Sequence, residues 1–250
     1  MSSEAEGGDA GAGDAEQAPP APPFVPRETV LVKNTYAKHH RSVVRIMAGT
    51  NQGTGFVVHN DGTSCLIFTC NHVIAPSRAG NLPLSVKFED LNDVVSAQVL
   101  HAVEVGDLAL LRVNGGEVPD CTPLVFSDET ELSGNLVVMI GYFGIDNSSV
   151  LTTPSSPHGR IMSEAVGDVN DDGHLQCIVC TYTSEFGTSG GPVIMDEDEV
   201  VGVHYKSQLG MSLAISAATV KRVLKLWLEH DKDLDITIKE MLVQIAQAHA

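Results

Sequence analysis

The stretch that bears most directly on the fold is FGTSGGPV, residues 186–193. Glycine adopts backbone conformations that other residues avoid, so three glycines around Ser189 predict a tight turn whose N–H groups face one side. Such N–H groups can stabilise the oxyanion of a tetrahedral intermediate, and a serine hydroxyl beside them is a candidate nucleophile. Alone, the pattern is equally typical of any glycine-rich loop.

Two other segments supply the residues that a serine nucleophile needs. FTCNHVI (68–74) places His72 directly after an apolar run, and VGDLALLRV (105–113) places Asp107 directly before one. A serine hydroxyl becomes nucleophilic when a neighbouring imidazole takes its proton, and a carboxylate holds that imidazole in the correct tautomer. Each segment alone is a weak signal. Together, in the order His, Asp, Ser, they predict a catalytic triad of His72, Asp107 and Ser189.

The hydrophobic pattern predicts an all-β body. Short apolar runs rich in Val, Ile, Leu and Thr recur from Ser42 to Ser216, and Gly, Asn, Asp or Pro bound each run. About twelve such runs predict β-strands, with almost no helix before Ser216. That many strands curl or split rather than form one flat sheet. The turn-rich region 113–130 divides them about evenly, so we expect two packed six-stranded antiparallel β-barrels.

Near the end of the chain, the hydrophobic pattern changes from one typical of strands to one typical of a helix. Residues 217–230 place apolar side chains on one stripe, which predicts an amphipathic helix. The stripe consists of Val220, Val223, Leu224, Trp227 and Leu228. Asp235 is predicted to cap a second helix over 236–250. The expected organisation is a tail (1–28), a domain (29–230) with barrels at about 36–115 and 128–216 and a closing helix (217–230), and an extra C-terminal helix (231–250).

Composition and charge exclude several classes of protein. The chain has 250 residues, of which 43% are hydrophobic and 19% charged, as in globular proteins. A net charge of −17 disfavours binding to nucleic acids or anionic membranes. No apolar run approaches the roughly 20 residues of a membrane span. Residues 1–28 hold six acids and one base, which predicts a disordered acidic tail rich in Pro, Ala and Gly.

The cysteines predict reduced thiols and an intracellular location, in the cytoplasm or nucleus. There are five of them, an odd number, and no secretory signal is recognisable at the N-terminus. Cys177 and Cys180 lie three apart in a predicted strand, so they face opposite sides and do not share a metal. DVNDDG (168–173) matches half of a calcium loop, but Val179 stands where the closing glutamate belongs. We therefore expect no metal and no cofactor.

Two smaller features are predicted to be solvent-exposed parts of the surface. DEDE (196–199) is predicted to be a solvated turn between two strands. The pair His39-His40 lies near the start of the domain, with no cluster of partner residues.

Six segments together resemble the chymotrypsin-like (trypsin-like) serine proteases, and look closest to the HtrA/Deg-type branch. They are TGFVVHNDGTSCLIFTCNHVI (54–74), GDLALLRV (106–113), IGYFG (140–144), GRIMSE (159–164), GTSGGPVI (187–194) and GMSLAISAATVKRVL (210–224). The resemblance covers nearly all of residues 36–226. It implies a cleft between two six-stranded barrels and a serine endopeptidase that hydrolyses polypeptides through an acyl-enzyme.

The resemblance also assigns roles to residues. His72 resembles the general base, Asp107 the residue that orients it and Ser189 the nucleophile. The backbone N–H groups of Gly187 and Ser189 resemble the oxyanion hole. Thr188 stands where digestive members have an acid that pairs with a newly cut N-terminus, so activation by such cleavage is not expected. Too few residues follow the closing helix for a PDZ domain, so we expect none, and the oligomeric state is open.

The specificity pocket is open to two interpretations. VVGVHY (200–205) resembles the strand of bacterial glutamyl endopeptidases and of viral chymotrypsin-like proteases that cut after Gln or Glu. Those enzymes have a histidine and a hydroxyl residue where His204 and Ser184 stand, so these two are the predicted substrate-binding residues. HtrA-like enzymes usually accept small apolar residues instead. A further alternative is an inactive protease fold that serves as a peptide-binding or scaffold protein.

Overall fold

The computed structural model describes residues 26–80, 82–114, 118–146, 149–167, 176–231 and 234–249. The predicted tail up to residue 25 and the DVNDDG turn (168–173) lie outside these residues. Within them, β-strands form two separate sheets and helices occur mainly at the two ends of the chain.

The first sheet contains seven antiparallel strands. They are β1 (Val43–Ala48), β2 (Asn51–Asn60), β3 (Ser64–Cys70), β4 (Leu84–Lys87), β5 (Val95–Ser96), β6 (Gln98–Val103) and β7 (Leu108–Asn114). Their order in the sheet is β5-β4-β1-β2-β3-β7-β6. The edge strands β5 and β6 do not pair in the described residues, so this first barrel is a half-barrel of seven strands where six were predicted.

The second sheet is a closed barrel. Its strands are β8 (Val125–Phe126), β9 (Leu136–Met139), β10 (His158–Gly167), β11 (Gln176–Cys180), β12 (Pro192–Met195), β13 (Glu199–Gln208) and β14 (Met211–Ser216). Six strands run in the order β12-β9-β10-β11-β14-β13, and pairing of β12 with β13 closes the ring. The short β8 joins β13 in parallel. The predicted all-β architecture with two barrels is therefore confirmed.

The C-terminal helices cover both barrels. Helix α3 (Ala217–Trp227) buries Val220, Val223 and Leu224, as the predicted stripe requires. The Trp227 ring at its end stacks on Phe68 of the first barrel, with ring centroids 6.3 Å apart. Phe68 lies in β3, an inner strand of the first sheet that is buried along its whole length.

Helix α4 begins at a different cap from the one predicted. It spans Ile238–Ala248, and its cap is Thr237 rather than Asp235. The Thr237 hydroxyl accepts a hydrogen bond from the Glu240 N–H at 3.2 Å, while the Glu240 carboxylate accepts one from the Thr237 N–H at 2.9 Å. This reciprocal capping box satisfies two main-chain donors at once, which Asp235 alone does not achieve.

Helix α1 (Arg27–His39) occupies a region where no helix was predicted. It is held by the turn between β12 and β13: His39 Nε2 lies 2.7 Å from the Glu197 carbonyl, and Lys38 pairs with Asp198. His39 is 4% exposed, so the prediction that it lies on the surface is wrong. No helix in the described ranges is long and apolar enough to cross a membrane.

Candidate active site

His72 lies in the first turn of α2 (Asn71–Gly80), directly after the buried strand β3. This helix lies in a region where the strand-like pattern predicted almost no helix, and it contains Pro76. The Nδ1 atom of His72 lies 2.6 Å from Asp107 Oδ2. Because an ionised carboxylate only accepts hydrogen bonds, Nδ1 carries the proton and Nε2 is the basic nitrogen of the neutral ring.

Asp107 also holds the backbone at the start of α2. Its Oδ1 accepts a hydrogen bond from the His72 N–H at 2.8 Å, and its carbonyl accepts one from the Asn71 N–H at 3.0 Å. Asp107 has a φ of 47°, a left-handed conformation that Asp tolerates better than most residues. A carboxylate at a helix N-terminus is also favoured by the helix dipole. The imidazole and its partner are therefore held both by side chains and by backbone.

A cysteine lies against this pair. Cys70 ends β3, its side chain is fully buried, and its Sγ donates to the His204 carbonyl at 3.4 Å. Burial, and secondarily the nearby Asp107 carboxylate, raise the pKa of the Cys70 thiol well above its ordinary value. One donor atom each from Cys70, His72 and Asp107 lie within 4.8 Å of one another, so this is a place where a metal ion could bind.

The Ser189 loop is built mostly from main chain. The Ser189 carbonyl accepts from the Thr54 N–H of the first barrel at 2.8 Å, and the Gly190 N–H donates to the His204 carbonyl at 2.7 Å. Gly190 has a φ of 91°, and a Cβ there would lie 2.0 Å from the Thr54 carbonyl oxygen. Only glycine fits this position, which explains one glycine of the motif.

The turn before Ser189 orients one peptide in a defined direction. The Thr188 N–H donates to the Glu185 carbonyl at 3.2 Å, and Gly187 has a φ of 89°, as in a type II turn. The Phe186 carbonyl accepts from the Gly144 N–H at 2.6 Å. Since the two polar groups of a trans peptide point in opposite directions, the Gly187 N–H points away from Gly144.

The two N–H groups predicted to form the oxyanion hole have no acceptor within the described part of the chain. These are the N–H groups of Gly187 and Ser189. The Ser189 hydroxyl donates to the Tyr205 carbonyl at 3.2 Å, and no hydrogen bond joins it to His72 in the residues the structure describes.

Thr54 is a residue of this site that the sequence reasoning missed. Its hydroxyl donates to the Gly187 carbonyl at 2.7 Å and accepts from the Tyr142 N–H at 2.9 Å. Thr54 therefore ties the Ser189 loop of the second barrel to β2 of the first. The sequence shows a threonine between Gly53 and Gly55, but nothing in this pattern indicates which loop the threonine side chain contacts.

The two predicted substrate-binding residues lie in one neighbourhood but differ in exposure. His204 is 1% exposed, and its Nδ1 lies 3.1 Å from the Tyr182 hydroxyl. Burial, with a smaller contribution from His72, lowers the pKa of His204 to about 3, so the ring is neutral. Ser184 Oγ lies 2.5 Å from Ser207 Oγ and 2.6 Å from Ser212 Oγ, which makes a cluster of three hydroxyl groups.

The fold and the site together define a class, the two-barrel proteins with a histidine, an aspartate and a serine contributed by different barrels. Residues 53–203 match the family described as "Trypsin-like peptidase domain". The match covers more than half of the chain, so the protein belongs to the trypsin-like peptidase family.

Curated relatives and solved structures agree with this assignment. The chain is 29% identical over 175 residues to "Serine protease HTRA2, mitochondrial" of Bos taurus, covering 70% of this chain and 36% of that protein. It is 31% identical over 170 residues to a probable periplasmic serine endoprotease DegP-like of Ectopseudomonas mendocina, covering 65% of this chain and 32% of that protein. The chain thus spans about a third of the length of these relatives.

Among solved structures, the active form of the Rv3671c protease from M. tuberculosis is similar, with a TM-score of 0.63 and 25% identity. The match covers 86% of this chain and 93% of that one. Deg5, at 23% identity and a TM-score of 0.66, shares the fold over 82% of this chain and 98% of its own.

Proposed function

We propose that the protein is a serine endopeptidase that hydrolyses peptide bonds through an acyl-enzyme. The observation that carries the proposal is the 2.6 Å hydrogen bond between His72 Nδ1 and Asp107 Oδ2. It presents the basic Nε2 of a histidine in a two-barrel protein whose glycine-rich turn carries Ser189. Membership of the trypsin-like peptidase family supports the same activity.

In the proposed mechanism, His72 and Ser189 act as a unit. Ser189 Oγ attacks the carbonyl carbon of the substrate while His72 Nε2 takes the hydroxyl proton. His72 then gives that proton to the leaving amine, which departs and leaves an ester on Ser189. A water molecule, deprotonated by His72, hydrolyses the ester and restores the hydroxyl. Asp107 keeps the ring in place and stabilises the imidazolium in both steps.

The negative charge that develops on the substrate oxygen needs hydrogen-bond donors. The N–H groups of Gly187 and Ser189 are suited to this task because they have no acceptor in the described residues and flank a single residue. Donors held in advance at such a position cost no reorganisation when charge develops. Thr54 supports them through its hydrogen bond to the Gly187 carbonyl.

The Ser189 hydroxyl has another partner in this structure. It donates to the Tyr205 carbonyl, so that hydrogen bond must break before the proton can pass to His72. Catalytic hydrogen bonds are often completed only when substrate binds. We infer that substrate binding favours release of the hydroxyl from Tyr205.

The residue that the enzyme prefers in its substrate at the cleaved bond stays a prediction with two alternatives. The Ser184 hydroxyl cluster and the neutral His204 ring favour a polar Glu or Gln side chain, because hydroxyl and imidazole groups can donate hydrogen bonds to its oxygen atoms. The burial of His204 and its contact with Tyr182 favour a packing role and small apolar substrates. A peptide-library cleavage profile of the wild type and His204→Ala decides between them. A preference that His204→Ala leaves unchanged would rule out the polar pocket.

A serine-reactive fluorophosphonate probe tests the activity itself. We expect the wild type to be labelled at Ser189 and to cleave an unfolded protein substrate, while Ser189→Ala does neither. Ser133→Ala is a matched control, since this exposed serine donates to the Met162 carbonyl in the second barrel. Peptide binding without labelling or cleavage would instead support the inactive binding or scaffold alternative.

Location within the cell stays a prediction from the sequence. The expected intracellular compartment, cytoplasm or nucleus, agrees with five cysteines that form no disulfide bond in the structure. Subcellular fractionation of the untagged protein, with its thiols alkylated at lysis, tests both the compartment and the thiol state. Recovery in a mitochondrial, endoplasmic-reticulum or secreted fraction would contradict it.

A further inference from the structure

Three side chains at the candidate active site offer donor atoms suited to one metal ion. Cys70 Sγ, a ring nitrogen of His72 and a carboxylate oxygen of Asp107 lie within 4.8 Å of one another. In the hydrogen bonds that the structure shows, His72 faces Asp107 through Nδ1. A thiolate, an imidazole and a carboxylate are the donors that Zn²⁺ accepts, whereas Mg²⁺ and Ca²⁺ prefer oxygen donors alone.

The donor atoms must rearrange to bind one ion. Zinc–ligand bonds of about 2.0–2.3 Å place neighbouring donors of a tetrahedral site roughly 3.2–3.7 Å apart. His72 Nδ1 and Asp107 Oδ2, now 2.6 Å apart, must therefore separate slightly. The His72 side chain is 49% exposed and can move, while Asp107 Oδ1 stays anchored by the His72 N–H at 2.8 Å. The fourth position is left for water.

The protons balance in a simple way. Zinc takes the place of the proton that lies between His72 Nδ1 and Asp107. That proton moves to Nε2 of the same imidazole ring. The Cys70 thiol loses its proton to solvent, so one Zn²⁺ binds and one H⁺ is released, because a bound dication deprotonates a coordinating thiol. The His204 carbonyl, which now accepts from that thiol, still accepts from the Gly190 N–H at 2.7 Å.

We propose that Cys70, His72 and Asp107 form an inhibitory zinc site that switches the candidate active site off. Binding at Nδ1 leaves a proton on Nε2, so His72 can no longer take the Ser189 proton. Zinc binding at this site does not depend on enzymatic activity, but its inhibitory effect rests on the proposed function. Zinc is here a regulator and not a cofactor, so hydrolysis itself requires no metal.

Cobalt binding to the Ser189→Ala protein tests the site without any turnover. Co²⁺ substitutes for Zn²⁺, and a thiolate ligand adds an intense near-ultraviolet charge-transfer band. We expect this band at one equivalent of Co²⁺, its displacement by Zn²⁺, and no response to Mg²⁺. The band should disappear in Ser189→Ala proteins that also carry Cys70→Ala, or Cys70→Ser if the alanine variant fails to fold.

Cys65→Ala is the matched control, because Cys65 lies on the same strand and is equally buried. Its thiol contacts Cys121, so this control also excludes that pair as the metal site. Absence of the band, its persistence without the Cys70 thiol, or its loss in Cys65→Ala would overturn the proposal.

An activity measurement then tests inhibition in the Ser189 protein. We expect Zn²⁺ to stop peptide cleavage and a chelator to restore it. Relative to each variant's own metal-free rate, Cys70→Ala should need more than about 100-fold higher Zn²⁺, since even outer-shell changes cost 10–100-fold in affinity. A cobalt band without zinc inhibition would overturn the inhibitory role, whereas a band in a protein with no activity would contradict only the proposed function.

Discussion

The first barrel contributes side chains to the candidate site, whereas the second contributes mostly main chain. His72 and Asp107 meet through a 2.6 Å hydrogen bond between two side chains. Around Ser189, the contacts are those of carbonyl and N–H groups, and the serine hydroxyl itself donates to the Tyr205 carbonyl. The proposed base is therefore held by its carboxylate partner, while the hydroxyl of the proposed nucleophile is held by a main-chain carbonyl.

This difference predicts two kinds of mutational effect. Conservative changes at His72 and Asp107 should affect activity more than the fold, because main-chain hydrogen bonds such as that from the Asn71 N–H to the Asp107 carbonyl also hold the backbone there. The backbone of the Ser189 loop depends on its glycines and on Thr54 of β2, so changes at those residues should affect stability and activity together. The following predictions test that division, from the largest effect to the smallest.

Ser189→Ala should reduce kcat/KM by about 10⁶-fold, because nucleophile and base act as a unit. Stability should change little, since only the hydrogen bond to the Tyr205 carbonyl is lost. Single-turnover kinetics on a peptide substrate and a thermal melt measure the two effects. Activity equal to that of the wild type would refute the assignment of the nucleophile.

Asp107→Asn should reduce kcat/KM by about 10⁴-fold, as in the analogous triad, because an amide can donate to Nδ1 and favour the wrong tautomer. The substitution keeps the size of the side chain, so the melting temperature should change little. Measurement of kcat/KM and of the melting temperature on one preparation tests whether the Asp107 side chain matters more for activity than for the fold. A loss of activity explained fully by unfolding would contradict it.

Thr54→Val should lower activity by up to about 10²-fold, because it releases the Gly187 carbonyl, whose peptide lies between the two proposed oxyanion-hole donors. It should also destabilise the protein by about 1–3 kcal/mol, since the Gly187 carbonyl and the Tyr142 N–H lose a buried partner. Thr54→Ser, which keeps the hydroxyl, is the control and should retain both properties. Equal behaviour of the two variants would show that the hydroxyl is unimportant.

His204 should make the fold sensitive to acid. Burial lowers the pKa of its ring to about 3, against about 6.5 in the unfolded chain. The unfolded state then binds a proton that the folded state refuses, so stability is full above about pH 6.5 and falls as the pH drops toward 3. Urea midpoints should fall less steeply over this range in His204→Phe than in the wild type. His158→Gln, at an exposed histidine, should follow the wild type.

Several elements escaped prediction for a common reason. Helix α1 shows little burial along its length, and the acidic turn that holds it lies about 160 residues further along the chain. Thr54 and Cys70 look like ordinary strand residues, and only the folded chain shows that they meet the Ser189 loop and Asp107. Their roles depend on neighbours distant in sequence, which a local pattern does not contain.

The strands, the two-barrel division, the stripe of the closing helix and the three residues proposed as the triad could all be predicted from the sequence. These follow from local periodicity, turn residues and the order of short motifs. Three features became visible only in the folded chain: the first sheet stays open, Thr54 joins the barrels, and Cys70 lies against His72 and Asp107. Sheet closure and side-chain contact depend on how distant strands pack, and that packing is a property of the whole folded chain.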